Sequence, residues 1–384
     1  MSTVGAVIAV LEAAYPPRLA ESWDSVGLVC GDPGDAVESV VVCVDVTDAV
    51  VDAALDSGAG LIVAHHPLLL RGVDTVGAHT PKGRLIHRLI RGGCALYTAH
   101  TNADSANPGV SDALADLLGV VDVRPLEPKP VAAMDKWSVL VPLDGAVSEG
   151  AVAPGAGDDE TVHEVAGAMF EAGAGQIGQY SRCAWTVDGH GQFVPGAHAQ
   201  PAIGTPSQLT RLPERRIDMV APRSRRAAVL AALRGAHPYE EPAFDVLELA
   251  AEDGNTGLGR VGRLEVALPL RDFAARIRAR LQTESWGIRV AGDPDRNIET
   301  VAVCGGAGDS LISAAQSAGA DVYITGDLRH HPVDEALRRG GPAFIDVGHW
   351  GSEFPWCAQA QGILIDSGFT ASVFGEPTHT WKAM

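Results

Sequence analysis

Residues 40 to 64, VVVCVDVTDAVVDAALDSGAGLIVA, align without a gap on residues 301 to 325, VAVCGGAGDSLISAAQSAGADVYIT. The pairs Val40/Val301, Val42/Val303, Cys43/Cys304, Asp48/Asp309, Ala53/Ala314, Ala54/Ala315, Gly58/Gly319 and Ala59/Ala320 are identical. Two Ala-rich helices aligned by chance would not also match in both flanking apolar runs, so the chain contains an internal repeat. Each copy reads as a buried strand, a loop, a helix of about ten residues ending at Gly, and a second buried strand, which is the βαβ unit of a parallel sheet. A chain that carries this unit twice is expected to be α/β, with two related half-domains.

The repeat continues downstream. CALYTAHTNAD (94 to 104) and AFIDVGHWGSE (343 to 353) are each an apolar strand running into a polar loop, and their superposition puts His100 on His349 and Asp104 on Glu353. Both histidine–carboxylate pairs then lie just past the C-terminal end of a strand, where open α/β sheets place their ligands. The stretch between the halves has a different character. KWSVLVPL (136 to 143), RIDMVAP (216 to 222) and FDVLELA (244 to 250) read as strands, and ETVHEVAGAMFEAG (160 to 173) and RSRRAAVLAALRGA (223 to 236) as helices, with Gly-rich, acidic turns after the first strand. This pattern predicts a ferredoxin-like α+β insertion. The expected organisation is half-domain 1 over 1–130, the insertion over 131–255 and half-domain 2 over 256–384, with the Pro-rich LEPKPV and the Gly-rich EDGNTGLGRVG as the crossings.

LIVAHHPLLL (61 to 70) ends a strand at the pair His65–His66. Neighbouring side chains of a regular strand face opposite ways, so an adjacent pair does not comfortably chelate one ion. At a strand end each can hold a different ion. Adding Asp104, His349 and Glu353 gives three imidazoles and two carboxylates at three strand ends, enough for two divalent ions that share a bridging carboxylate and keep open positions for water, as a catalytic site needs. The plain alternative for HHP is a turn with one capping and one solvated imidazole. Nitrogen and oxygen donors of this kind suit Zn, Fe, Mn, Co or Ni.

Charge narrows the partners. The 29 Lys+Arg against 48 Asp+Glu leave a formal charge of −19, which argues against an electrostatic grip on nucleic acid. The apolar run at the N-terminus has no basic flank and is interrupted by Glu12, so neither a signal peptide nor a membrane span is expected. Six isolated cysteines, at 30, 43, 94, 183, 304 and 357, form no C-x-x-C and point to a reduced, cytoplasmic protein. No H-x-E with P-C-x-x-C is present, which excludes zinc deaminase chemistry, and no Walker loop appears.

WDSVGL (23 to 28), AHHPLLL (64 to 70), TAHTNAD (98 to 104), TGDLRHH (325 to 331) and GHWGSE (348 to 353) together resemble the GTP cyclohydrolase 1 type 2 homologue family, also called NGG-interacting-factor-like. The resemblance covers both halves. It implies a dinuclear metal centre, a homohexameric toroid, and metal ligands at His65, His66, Asp104, His349 and Glu353, the five residues reached above. AGQIGQYSRCAW, HGQFVPG and AHPYEEPAFDV of the insertion look like the PII-like domain of longer bacterial members.

The expected function is hydrolysis, by two divalent ions, of an anionic, nucleotide-like substrate, with GTP ring opening as the case the family name suggests. The alternative is a metal-storage or insertion protein, or a ligand-sensing regulator. His100 is outside the family's ligands, which leaves it a proton-transfer role or a structural hydrogen bond. His330 and His331 read as helix-capping or solvent-facing rather than metal-binding. His237, Glu240 and Glu241 of HPYEEP form either an ordered turn or a separate ligand site. CGGAGDS (304 to 310) is either a phosphate-holding turn or a tight turn only.

Overall fold

The computed structural model describes residues 2–143, 160–283 and 286–381. The Gly-rich, acidic turns expected at 144–159 lie outside the described residues. The chain divides into two compact units, one comprising Met1–Lys129 with Gly254–Met384, the other Pro130–Asp253.

The first half of the larger unit runs through α1 (Val4–Ala14), β1 (Gly27–Cys30), β2 (Val40–Cys43), α2 (Asp48–Asp56), β3 (Leu61–Ala64), α3 (Pro81–Gly92), β4 (Ala95–Thr98), α4 (Thr101–Ser105), α5 (Val110–Leu118) and β5 (Val120–Pro130). The smaller unit contains β6 (Met134–Pro142), α6 (Glu160–Glu171), β7 (Trp185–Phe193), β8 (Thr210–Pro222), α7 (Arg226–Ala236) and β9 (Phe244–Glu248). The larger unit resumes with β10 (Asp253–Pro269), α8 (Leu270–Arg280), β11 (Arg289–Ala291), β12 (Asn297–Ala307), α9 (Ile312–Ser317), β13 (Val322–Gly326), α10 (His330–Arg338), β14 (Ala343–Asp346), α11 (His349–Asp366) and β15 (Ala371–Val373).

The fold is mixed α/β with several sheets. In the larger unit, one sheet has the order β1-β4-β3-β2-β15 and the other β11-β14-β13-β12-β10-β5. The strands β2, β3 and β4 are parallel, as are β12, β13 and β14. The repeat reaches further than its sequence match, because an antiparallel edge strand, β1 or β11, closes each set. The copies part at the opposite side, where β15 lies parallel to β2 but β10 lies antiparallel to β12.

Alternation along these apolar strands feeds two cores per sheet. Val40, Val42, Leu61, Val63 and Tyr97 pack with α1 and α11, whereas Val41, Ile62 and Leu96 pack with α2 and α3. In the second sheet Val301, Val303, Ile324 and Ile345 pack with α5 and α8, and Ala302, Tyr323 and Phe344 with α9 and α10. The buried Arg260 of β10 ties the halves together, pairing with Asp112 at 2.6 Å and donating to the carbonyls of Gly257, Gly259 and Ala106. Such a buried charge is tolerable because every N–H in this list meets an acceptor.

LEPKPV and EDGNTGLGRVG hold the two boundaries between the units, and apart from Val131 and Glu252 they are strand. They lie in β5 and β10, which neighbour each other in the second sheet. Proline is tolerated in β5 because that strand is outermost, where a missing N–H costs no ladder bond.

The smaller unit has the order β-α-β-β-α-β and an antiparallel sheet, β7-β8-β6-β9. Trp137, Val139, Ile217 and Met219 of its central strands pack against Val165 and Met169 of α6 and Val229 and Leu233 of α7. Sequence reading supplied three of these strands and missed β7, an exposed edge strand whose WTVDGHGQF holds two glycines and little apolar alternation.

Candidate metal centre

The ladder between β2 and β3 continues one step past the strand ends, with His65 N donating to Cys43 O at 3.0 Å and His66 N to Val44 O at 2.9 Å. Beyond it the alternation is lost. Both imidazoles reach the same centre, with ring centroids 5.1 Å apart. His65 is fully buried beside Trp356, and His66 is half-buried. After β4 the chain turns into α4, which places His100 just before the helix and Asp104 one turn on. After β14 it turns into α11, whose His349 and Glu353 stand four residues apart on one helix face, 3.2 Å apart.

Glu353 is the hub. Its Oε1 lies 3.5 Å from His65 Nε2 and 3.2 Å from His349 Nε2, and its Oε2 lies 2.9 Å from His66 Nε2. Asp104 Oδ1 is 3.7 Å from His65 Nε2. The Nε2 atoms of His66 and His349 face each other at 3.3 Å. Among the described residues two groups have donor atoms close enough to hold a metal ion: His66, His349 and Glu353, and His65, His66 and His100. The second brings His100, expected outside the ligand set in a proton-transfer or hydrogen-bonding role, next to His65 and His66.

Each imidazole is fixed through its other nitrogen. His65 Nδ1 donates to Ala99 O at 2.9 Å, His66 Nδ1 to Asp45 at 2.7 Å, His100 Nδ1 to Asp24 at 2.8 Å and His349 Nδ1 to Asp327 at 2.7 Å. Metal-ligating histidines have this arrangement, which sets the tautomer and aims the free nitrogen. The buried His65 Nε2 has no hydrogen-bond partner among the described residues. An aimed, orphaned imidazole nitrogen and a buried carboxylate beside it fit a cation, so the donor set could hold a metal ion.

The electrostatics agree. Burial disfavours charge on His66, but Glu353 and Asp45 outweigh it and push its pKa up. Glu353 pushes His349 up likewise, against burial and with help from Asp327. Burial opposes ionisation of Glu353, yet His66, His349 and His65 hold it well below the usual carboxylate range. Asp104 is pushed up, chiefly by burial. Protons on these imidazoles do the neutralising that a bound cation would take over.

Sequence reasoning missed Asp24, Asp45 and Asp327. Two of them lie inside quoted motifs, WDSVGL and TGDLRHH, without a role given to them. Asp24 is secured by Thr101, whose N and Oγ1 donate to its Oδ2 at 3.0 and 2.5 Å. The CGGAGDS turn serves this centre sterically. Gly306 has a φ of +67°, and a Cβ there would fall 2.5 Å from Glu353 Oε1. Its N–H donates to Ser352 Oγ at 2.8 Å. His330 and His331 are exposed at the start of α10 and belong to neither group of candidate ligands.

No helix among the described residues is long and apolar enough to cross a membrane. A protein of Mycobacterium tuberculosis named GTP cyclohydrolase 1 type 2 homolog is 55% identical over 359 residues, 93% of this chain and 90% of that one. The Bacillus subtilis protein of the same name is 36% identical over 90% of this chain and 87% of its own. Among solved structures, a Bacillus cereus protein related to NIF3 is 34% identical with a TM-score of 0.67, covering 100% of this chain and 99% of that one. The Staphylococcus aureus protein SA1388 is 25% identical with a TM-score of 0.78 and the same coverage. Since the Duf34/NIF3 (NGG1p interacting factor 3) family model also matches residues 2–374, the chain belongs to that family.

Proposed function

We infer that the chain holds two divalent ions, one on His65 and Asp104 and one on His66 and His349, with Glu353 bridging them. The observation that carries this is the shared pattern of His65, His66 and His349, each with Nδ1 anchored and Nε2 within 3.5 Å of a Glu353 oxygen. The reaction that suits such a centre is hydrolysis of an anionic, nucleotide-like substrate, with GTP ring opening the case suggested by the relatives' name. Bound divalent ions supply Lewis acidity and lower the pKa of water toward neutrality. Two of them outweigh Asp104 and Glu353, so an anion is drawn in even though the chain carries −19. His100 moves the proton: its Nδ1–H is held by Asp24, which stabilises the ring once Nε2 has accepted.

One observation favours a second role for His100, as a ligand, because its ring nitrogen groups with those of His65 and His66. The smaller unit reads as the ferredoxin-like, PII-like insertion on its β-α-β-β-α-β order. The assembly reads as a hexamer of 39.9 kDa chains, about 240 kDa, closed by rotational symmetry. Six free cysteines support a reduced, cytoplasmic setting.

Elemental analysis followed by assay on GTP and a panel of nucleotides and phosphoesters tests the reading. Two metal equivalents and metal-dependent turnover are expected, with His100→Ala keeping both ions and losing about 10²–10⁴-fold in rate. An ion lost in His100→Ala makes that residue a ligand. A wild type that binds metal but turns nothing over is a storage, insertion or regulatory protein.

A further inference from the structure

HPYEEP of the smaller unit is not absorbed by the metal centre, and its side chains divide into a pin and a cavity wall. His237 is the pin. Its Nε2 donates to Leu140 O at 2.9 Å and its Nδ1 accepts from Tyr239 N at 3.0 Å, which uses both nitrogens of a neutral ring whose pKa burial lowers. The turn it fixes carries Tyr239, Glu240 and Glu241 to the edge of a cavity of about 400 Å³, within the ligand-sized range of roughly 300–1,000 Å³.

The most buried of the cavity's carboxylates is Glu214 of β8, only 7% exposed. Its Oε1 accepts from the Tyr239 hydroxyl at 3.0 Å, and its Oε2 has no hydrogen-bond or ion-pair partner among the described residues. Gly191 makes room for this carboxylate, which packs against it: a Cβ there would fall 2.0 Å from that same Oε2. Phe193 packs edge-on to Tyr239 at 5.8 Å and gives the cavity an aromatic wall. Among the residues that line it are three carboxylates and no Lys, Arg or His. A buried carboxylate with one neutral hydrogen bond is costly until a cation meets it. A hydrated metal ion would gain nothing from the apolar and aromatic walls, whereas an organic cation gains from both, through burial and through attraction to the ring faces.

We propose that this cavity binds a small organic cation, a protonated amine on a compact apolar or aromatic body, with Glu214 as its counter-ion. The site is independent of the metal centre, and its test leaves that centre's metal content as a separate readout. The full-length protein is titrated, by calorimetry and saturation-transfer NMR, with phenethylamine, tyramine and agmatine, and with 2-phenylethanol and 3-phenylpropionate as neutral and anionic counterparts. Phenethylamine is expected to bind about tenfold or more tighter than 2-phenylethanol, and Glu214→Gln to remove that preference without changing bound metal. Glu241→Gln, an exposed change at the rim, gives a smaller loss and keeps the test alive should Glu214→Gln fail to fold. Equal affinity for amine and alcohol, displacement of the amine by millimolar magnesium or calcium, or no binding of any of the three amines up to about 10 mM overturns the proposal.

Discussion

After β3 the first half of the larger unit carries two imidazoles, His65 and His66; at the matching positions of the second half stand Gly326 and Asp327. After β4 and β14 the halves agree, with His100 and Asp104 matched by His349 and Glu353. Asp45, which fixes His66, is matched by Gly306, which clears space for Glu353. In the proposed centre the same chain trace would therefore supply donors and their supports in the first half, and a support, a donor, the hub and a gap in the second. The repeated chain trace sets the geometry, and a few loop residues make the two halves unequal around it.

The largest expected effect comes from breaking the hub. Glu353 contacts His65, His66 and His349, while Asp104 approaches His65. Glu353→Gln should weaken both ions about 100-fold or more, and Asp104→Asn mainly one of them, because a lost ligand costs at least what a lost support does. Titration with a metal-sensitive dye separates the two. Two full-affinity equivalents in Glu353→Gln would show that the halves hold their ions independently.

The five residues proposed as donors could be singled out in the sequence because each lies at a strand end or one turn into the helix that follows, two of them repeat one another, and His349 and Glu353 have helical spacing. Their supports were not. Asp24, Asp45 and Asp327 are acidic residues of ordinary loops, and each meets its histidine only after the chain has returned from 76, 21 or 22 residues away. The repeat hid one of them further, since Asp327 occupies the position of a donor in the other copy. Proline and glycine made β5 and β10 look like linkers, although an outermost strand and its neighbour accept them. An exposed edge strand such as β7 buries too little to leave a pattern.

A smaller effect sharpens the contrast between supports. Asp45→Asn and Asp327→Asn act on His66 and His349, one from each half, and should each weaken one ion by about 10–100-fold while sparing the other. Asp24→Asn acts on His100 and is expected to leave two ions in place. Loss of an ion in Asp24→Asn would place His100 among the ligands and make the first half the richer in donors by one more.

The smallest effect concerns a tether that only the first half receives. Thr378, beyond β15, donates its hydroxyl to Asp45 Oδ2 at 2.5 Å, so one carboxylate joins the C-terminal segment to the His66 ring. The segment is seated there by His379, whose ring meets Trp350 at 6.2 Å and Trp286 at 6.3 Å. Asp327 receives no comparable hydroxyl among the described residues; His349 is its hydrogen-bond partner. Removing one hydroxyl costs a net hydrogen bond of about 0.5–1.5 kcal/mol. Thr378→Val keeps the shape and loses the donor, so it should weaken the ion on His66 and His349 about three- to tenfold, with Thr378→Ser restoring most of the loss. Unchanged affinity in Thr378→Val would mean that Asp45 holds His66 unaided, as Asp327 holds His349, and that the two supports are equivalent after all.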